Sequence, residues 1–277
     1  MDIVLLLCGT AVLIVVTVDL LVTTVAATAL RTPTYWMGRC TFGLLKLIPG
    51  MGAARVLTRA SGVAVMSAVA LYWILGTWLG WTLVFASGDP SIDLSDPGAE
   101  PTVADHASHA GHLLSTLGGA RTTPATAGWG IVDTLVGVNG MVVLTMSVSF
   151  LLSVRQTVQQ GRTFAVLSEV GAAPPGEARD RLAELVAGLH AAPLALWYGA
   201  PRADRQTPVA VLRHARAAQA RGGSVWTATA TILEDLPYLP DGERRDLVSR
   251  IREWAYHYVL DTSEMGLPDA VTPAANR

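Results

Sequence analysis

The sequence predicts an all-α membrane protein with three transmembrane helices, a re-entrant segment ahead of the third, and a helical cytoplasmic domain. Three observations carry this. Hydrophobic residues make up 51% of the 277 and charged residues 15%, against about 25% charged in soluble chains; mean hydropathy is +0.40. The apolar residues gather into three runs long enough to cross a bilayer. The stretches between those runs differ sharply in the sign of their charge. A formal net charge of −2 gives no reason to expect a nucleic-acid partner.

The first run, residues 3–30, is interrupted by Asp19 and a few threonines. No Lys or Arg precedes it and its apolar core exceeds that of a leader, so it is expected to stay as a helix. Cys8 and Cys40 lie in or beside it near opposite ends, too far apart for a disulfide. The second run, residues 62–86, carries Trp73, Trp78 and Trp81 toward its far end, as interfacial belts do. The third, residues 131–154, ends at Arg155. Arg31, Arg39, Lys46, Arg55 and Arg59 lie in the linker 31–61, with no acid among them. Asp89, Asp93, Asp96, Glu100 and Asp105 populate residues 87–130, opposed by Arg121 alone. The positive-inside rule then puts the linker in the cytoplasm, the N-terminus and residues 87–130 outside, and residues 155–277 inside. That is a multi-pass protein of the cell membrane, and the Arg and Ala bias hints at a bacterial inner membrane.

Within the linker, residues 41–48 are apolar but too short to span. They read as a helix, interfacial or packed in the cytoplasm, ended by Pro49-Gly50. Residues 103–116 have helical composition at half a spanning length, which makes them a re-entrant candidate. After Arg155 the third helix is expected to run on to Val170, where Gly171-Ala-Ala-Pro174-Pro175-Gly176 breaks it. Residues 177–190 place Leu182, Leu185, Val186 and Leu189 at helical spacing, and residues 208–221 and 242–260 are similar. No dinucleotide or phosphate-binding loop and no catalytic constellation is present, so neither an enzyme nor a cofactor is expected.

The run His112-Leu-Leu-Ser-Thr-Leu-Gly-Gly-Ala120, followed by Arg121-Thr-Thr-Pro124, resembles the pore loop of two-transmembrane-helix potassium channels. Ile131-Val-Asp-Thr-Leu-Val-Gly137 and Val148-Ser-Phe-Leu-Leu-Ser-Val154 resemble that family's inner helix. The resemblance covers residues 62–154. It implies a re-entrant pore loop, monovalent cations as cargo, membrane lipids as surroundings and a homotetramer, because one chain supplies one pore module. Thr116, Leu117 and Gly118 match the first filter positions; Gly119, Ala120 and Arg121 replace the family's tyrosine, second glycine and aspartate. Filters coordinate ions with rings of backbone carbonyls, so these replacements imply weak selectivity. Asp133 matches the acid that supports the filter, and Gly137 matches the gating hinge. The alternative is a non-conducting scaffold or sensor whose cytoplasmic helices bind a partner.

Two further features stand outside the resemblance. Asp19, an intramembrane acid, is expected to pair with Thr17 or Thr23, because an unpaired acid there is costly. His106, His109 and His112, spaced three apart, are candidate Zn²⁺ ligands; a pH switch and a helix that simply carries histidines are the other readings. In the tail, Arg213, His214, Arg216 and Arg221 form a basic stretch that either rests on anionic headgroups or is a solvated face.

Overall fold

A computed structural model describes residues 1–26, 29–47, 51–96, 99–116, 121–170, 175–200 and 202–260. These residues are mostly helical, and three helices are long and apolar enough to cross a membrane. The chain divides into two compact units. One comprises Met1–Ala26, Thr32–Thr34 and Ala68–Leu151; the other comprises Ala27–Arg31, Tyr35–Ser67 and Leu152–Arg277.

In the first unit, helix α1 (Ile3–Val25) begins where the Asp2 carboxylate accepts from the Val4 and Leu5 amides, an N-cap that satisfies two otherwise orphaned donors. It stops short of the expected residue 30. Helix α2 (Pro33–Lys46), which belongs to this unit only through Thr34, starts earlier than the expected residue 41, with Pro33 at its first position, where a missing N–H costs nothing. Helix α3 (Met51–Ala86) contains the second apolar run as its C-terminal part. Gly9, Gly76 and Gly80 make the α1–α3 seam. A Cβ on Gly76 would stand 2.7 Å from Val16 Cγ2, one on Gly80 2.7 Å from Leu13 Cγ, and one on Gly9 2.8 Å from the Gly80 carbonyl. Small residues four apart let membrane helices approach in this way. Ile3, Val4, Leu7, Ile14, Val15 and Val18 face outward from the same helix, as expected of a surface that meets lipid tails.

Two three-residue strands, unforeseen in the sequence, form a small ribbon: β1 (Ile92–Leu94) pairs antiparallel with β2 (Thr122–Pro124), Asp93 opposite Thr123. Between them lies helix α4 (Val103–Leu114), and after them helix α5 (Ala127–Val170), which runs on past the apolar stretch as the sequence indicates.

The second unit is built on α2 from Tyr35 onward, α3 through Ser67 and α5 from Leu152, with α6 (Pro175–Ala191), α7 (Thr207–Arg221), α8 (Gly223–Leu233) and α9 (Leu247–Tyr258). Leu182, Leu185, Val186 and Leu189 are all buried, as their spacing requires, and α7 packs on both α8 and α9. Helix α8 was not foreseen, because Gly222-Gly223 reads as a terminus. Here both glycines take positive φ, and the second opens a new helix. A short turn, Pro193–Trp197, delivers residues 197–199 onto α2 and the start of α3. Trp197 covers Gly38, its carbonyl accepts from Ser61 Oγ at 2.7 Å, and Tyr198 and Gly199 lie on Gly62 and Thr58.

Candidate functional site

The candidate site grows from α4. Its start is a capping box: the Thr102 backbone amide and hydroxyl donate to the Asp105 carboxylate at 2.9 and 2.6 Å, and Thr102 Oγ1 accepts from the Asp105 amide. These donors hold the Asp105 carboxyl below its usual range. One face of α4 then enters a cluster of Phe85, Ile92, Ala110 and Val136, flanked by Trp81, Leu113, Leu114, Trp129 and Val132. The Trp78 indole donates to the Ala107 carbonyl at 2.7 Å, and the Trp81 indole donates to Asn139 on α5 at 3.0 Å. At the far end, the Leu114 backbone lies so close to Gly140 of α5 that no side chain fits there.

His109 is the hub. It is 1% exposed, its ring stands edge-on to Phe85, its Nδ1 lies 2.9 Å from Thr122 Oγ1 and its Nε2 3.1 Å from Asp133 Oδ1. One imidazole thereby ties α4 to β2 and α5. The fixed geometry suits Nε2–H donating to the carboxylate while Nδ1 accepts from the threonine hydroxyl.

This arrangement bears on each predicted site residue. Asp133 lies on His109. His106 Nδ1 donates to the Thr102 carbonyl at 2.8 Å. For the metal reading of His106, His109 and His112 the structure offers no prearranged site: His109 spends both nitrogens on protein, and among the described residues no group of three His, Cys, Asp or Glu side chains is arranged to hold a metal. Thr116 follows α4 with φ +60°, a left-handed conformation unusual for a β-branched residue. Leu117, Gly118, Gly119 and Ala120 lie outside the described residues. The exposed Arg121 guanidinium is 3.9 Å from Asp96, and its carbonyl accepts from the Ser95 amide. A methyl group added at Gly137 would meet nothing within 4 Å, in contrast to one added at Gly140.

Asp19 is also corrected in its partners. It is 3% exposed and accepts from the Thr34 amide at 3.1 Å, the Thr34 hydroxyl at 2.5 Å and the Trp73 indole at 3.0 Å. Thr23 instead meets Thr32. The carboxylate thus sits at the N-terminus of α2, where backbone donors and the helix dipole favour negative charge.

No family model and no solved structure matches the chain. The chain is similar to a protein of Bacillus subtilis described as the uncharacterized membrane protein YdjJ, with 32% identity over 113 residues. The alignment takes in 40% of this chain and 33% of that relative, so it spans about a third of the relative's length. With the three apolar helices, this is the likeness of a membrane protein.

On α5, Thr134, Val138, Met141, Thr145 and Ser149 are exposed and, at 100° per residue, fall within an arc of about 80°. Leu135 and Val142 border it on one side and Leu144 and Val148 on the other, all apolar and exposed. A weakly polar stripe therefore runs along an otherwise lipid-like surface. The sequence reading missed this stripe and the Gly76-x-x-x-Gly80 seam, though helical period alone reveals both. In the tail, the basic stretch is not one solvated face. Arg213 reaches the Ala165 carbonyl and Ser168 Oγ, and His214 stands against Phe164. Burial pushes the His214 pKa down, and Arg221 adds to the effect.

Proposed function

We propose that the chain is one subunit of a homotetrameric cation channel of the two-transmembrane-helix, pore-loop class, with a weakly selective filter. In this reading α3 and α5 are the outer and inner helices, α4 is the re-entrant pore helix, and the stripe Thr134–Thr145–Ser149 faces a water-filled axis. The observation that carries it is the contact of Leu114 with Gly140. Gly140 is 13 residues into α5, about 20 Å along its axis at ~1.5 Å per residue. A segment between two spans that returns so far along the next span is what a re-entrant loop does. Non-helical backbone at that depth is tolerated only when buried in protein or lining water, and the polar ties through His109, Trp78 and Asp133 meet that demand. The linker charge contrast supports an outside N-terminus and a cytoplasmic tail in the cell membrane.

The test begins with molecular mass in mild detergent, where a tetramer is expected and a monomer or dimer removes the reading. Planar-bilayer recordings under K⁺, Na⁺ and Cl⁻ gradients follow. A small cation conductance with poor K⁺/Na⁺ discrimination is expected. The Arg121–Asp96 pair is exposed and long, so it neutralises little. Arg121→Asp should therefore raise cation current, and a change at Arg202 in the tail should not. Electrical silence of an intact tetramer would favour the scaffold reading, and current abolished by Arg121→Asp would indicate an anion pathway.

A further inference from the structure

Helix α2 presents two faces that disagree with a helix simply buried or simply solvated. Thr34, Tyr35, Gly38 and Phe42 are buried. Tyr35 stacks near Trp197 and Tyr238, and Gly38 lies beneath the Trp197 ring. The opposite face carries Trp36, 50% exposed, and Leu44, 65%, with Cys40 exposed between them and Leu47, 76% exposed, continuing it in the turn just past Lys46. At 100° per residue these four fall within an arc of about 80°. At its border the Arg39 guanidinium lies 5.5 Å from the Trp36 ring centroid. Large exposed apolar patches on a helix mark a surface that something covers.

We infer that this face rests in the membrane surface, with Trp36, Cys40, Leu44 and Leu47 in the headgroup–acyl boundary and Arg31 and Arg39 among the headgroups. Three observations select lipid over another protein. The N-terminus of α2 is fastened to a spanning helix by the two Thr34–Asp19 hydrogen bonds, which hold the start of α2 against the last third of that helix, six residues before its C-terminal residue Val25. The chain from Arg31 through Ala60 contains five cations and no acid, the charge pattern drawn to anionic leaflets. The exposed set pairs a tryptophan with an arginine and leucines, the composition of helices that lie in an interface. The inference requires only that the chain be a membrane protein, so it stands or falls independently of conduction.

Spin-label accessibility tests it. In a Cys8→Ser background the native Cys40 is labelled directly, and Trp36→Cys, Leu44→Cys and Leu47→Cys are labelled after Cys40→Ser is added. Ala217→Cys, on the exposed face of α7, serves as the water-facing control. In nanodiscs of phosphatidylcholine and phosphatidylglycerol, labels at 36, 40, 44 and 47 should collide readily with oxygen and poorly with a water-soluble nickel chelate. The control should show the reverse. Chelate access at Cys40 equal to that at Ala217→Cys would put the face in water and overturn the inference. Low access to both reagents, with dipolar broadening between labels, would mean that a second copy covers it, which also overturns it. The native Cys40 label keeps the outcome decisive even if one of the other variants folds poorly.

Discussion

His109 holds three segments with one side chain, so its removal exposes two partners at once. His109→Ala leaves Thr122 and the Asp133 carboxylate without their buried contacts, and each unsatisfied group costs about 1–3 kcal/mol. A clear fall in melting temperature in detergent is expected, with His109→Gln losing less because its amide still reaches one partner. Asp19 behaves alike at the other end of the unit. Asp19→Leu strands the Thr34 and Trp73 donors and should lower the melting temperature, whereas Asp19→Asn keeps an acceptor and should lower it less. Equal stability of Asp19→Leu and the parent would mean that these hydrogen bonds contribute nothing net. Thr116 carries strain in the left-handed region, which costs about 1–2 kcal/mol for an L-residue.

Among the elements, α4 and α5 meet through a glycine that the sequence could not distinguish from its neighbour. Gly137 is the glycine that the resemblance to pore-loop channels implies as a hinge, yet it is Gly140 that accepts the end of α4. Gly137→Ala should be tolerated, gaining up to about 1 kcal/mol of helix propensity. Gly140→Ala forces α4 away and should destabilise the protein and alter any conductance. If Gly137→Ala alone changes gating while stability is unaltered, the hinge implied by the resemblance is supported. In the other unit, Trp197→Ala removes the ring that covers Gly38 and should cost about 3–5 kcal/mol, read as loss of the tail's cooperative melting. Periodicity made α5, α6, α7 and α9 legible, because one residue type repeats on one face. It could not reveal β1 and β2, which are three residues each and are held by pairing between segments far apart in the chain. Nor could it assign partners to Asp19 and His109, since those partners come from other elements.

At the scale of the molecule, the charge contrast between residues 31–61 and residues 87–130 was plain in the sequence, and it makes a topological prediction. In a chain freed of Cys8 and Cys40, Ser95→Cys should react with an impermeant thiol reagent applied outside intact cells, and Thr231→Cys on α8 should react only after lysis. Labelling of Thr231→Cys in intact cells would invert the orientation. The division into two units falls within α3 at 67/68 and within α5 at 151/152, close to the residues where composition changes from apolar to mixed. What composition could not disclose is that the linker belongs with the tail: Ser61 and Trp197, joined by a hydrogen bond, are 136 residues apart.

That separation sets an order of events during synthesis. The chain emerges N-terminus first, at about 5–20 residues per second, so Tyr35, Gly38 and Phe42 leave the ribosome well before Trp197 exists to cover them. For several seconds of elongation the nascent linker shows water or lipid the surface it later hides. A chain stopped before Pro193 would keep that surface permanently open. It should be recognised by membrane quality-control proteases and turned over faster than the 277-residue chain, whereas a chain ending after Val259, with Trp197 over Gly38, should persist.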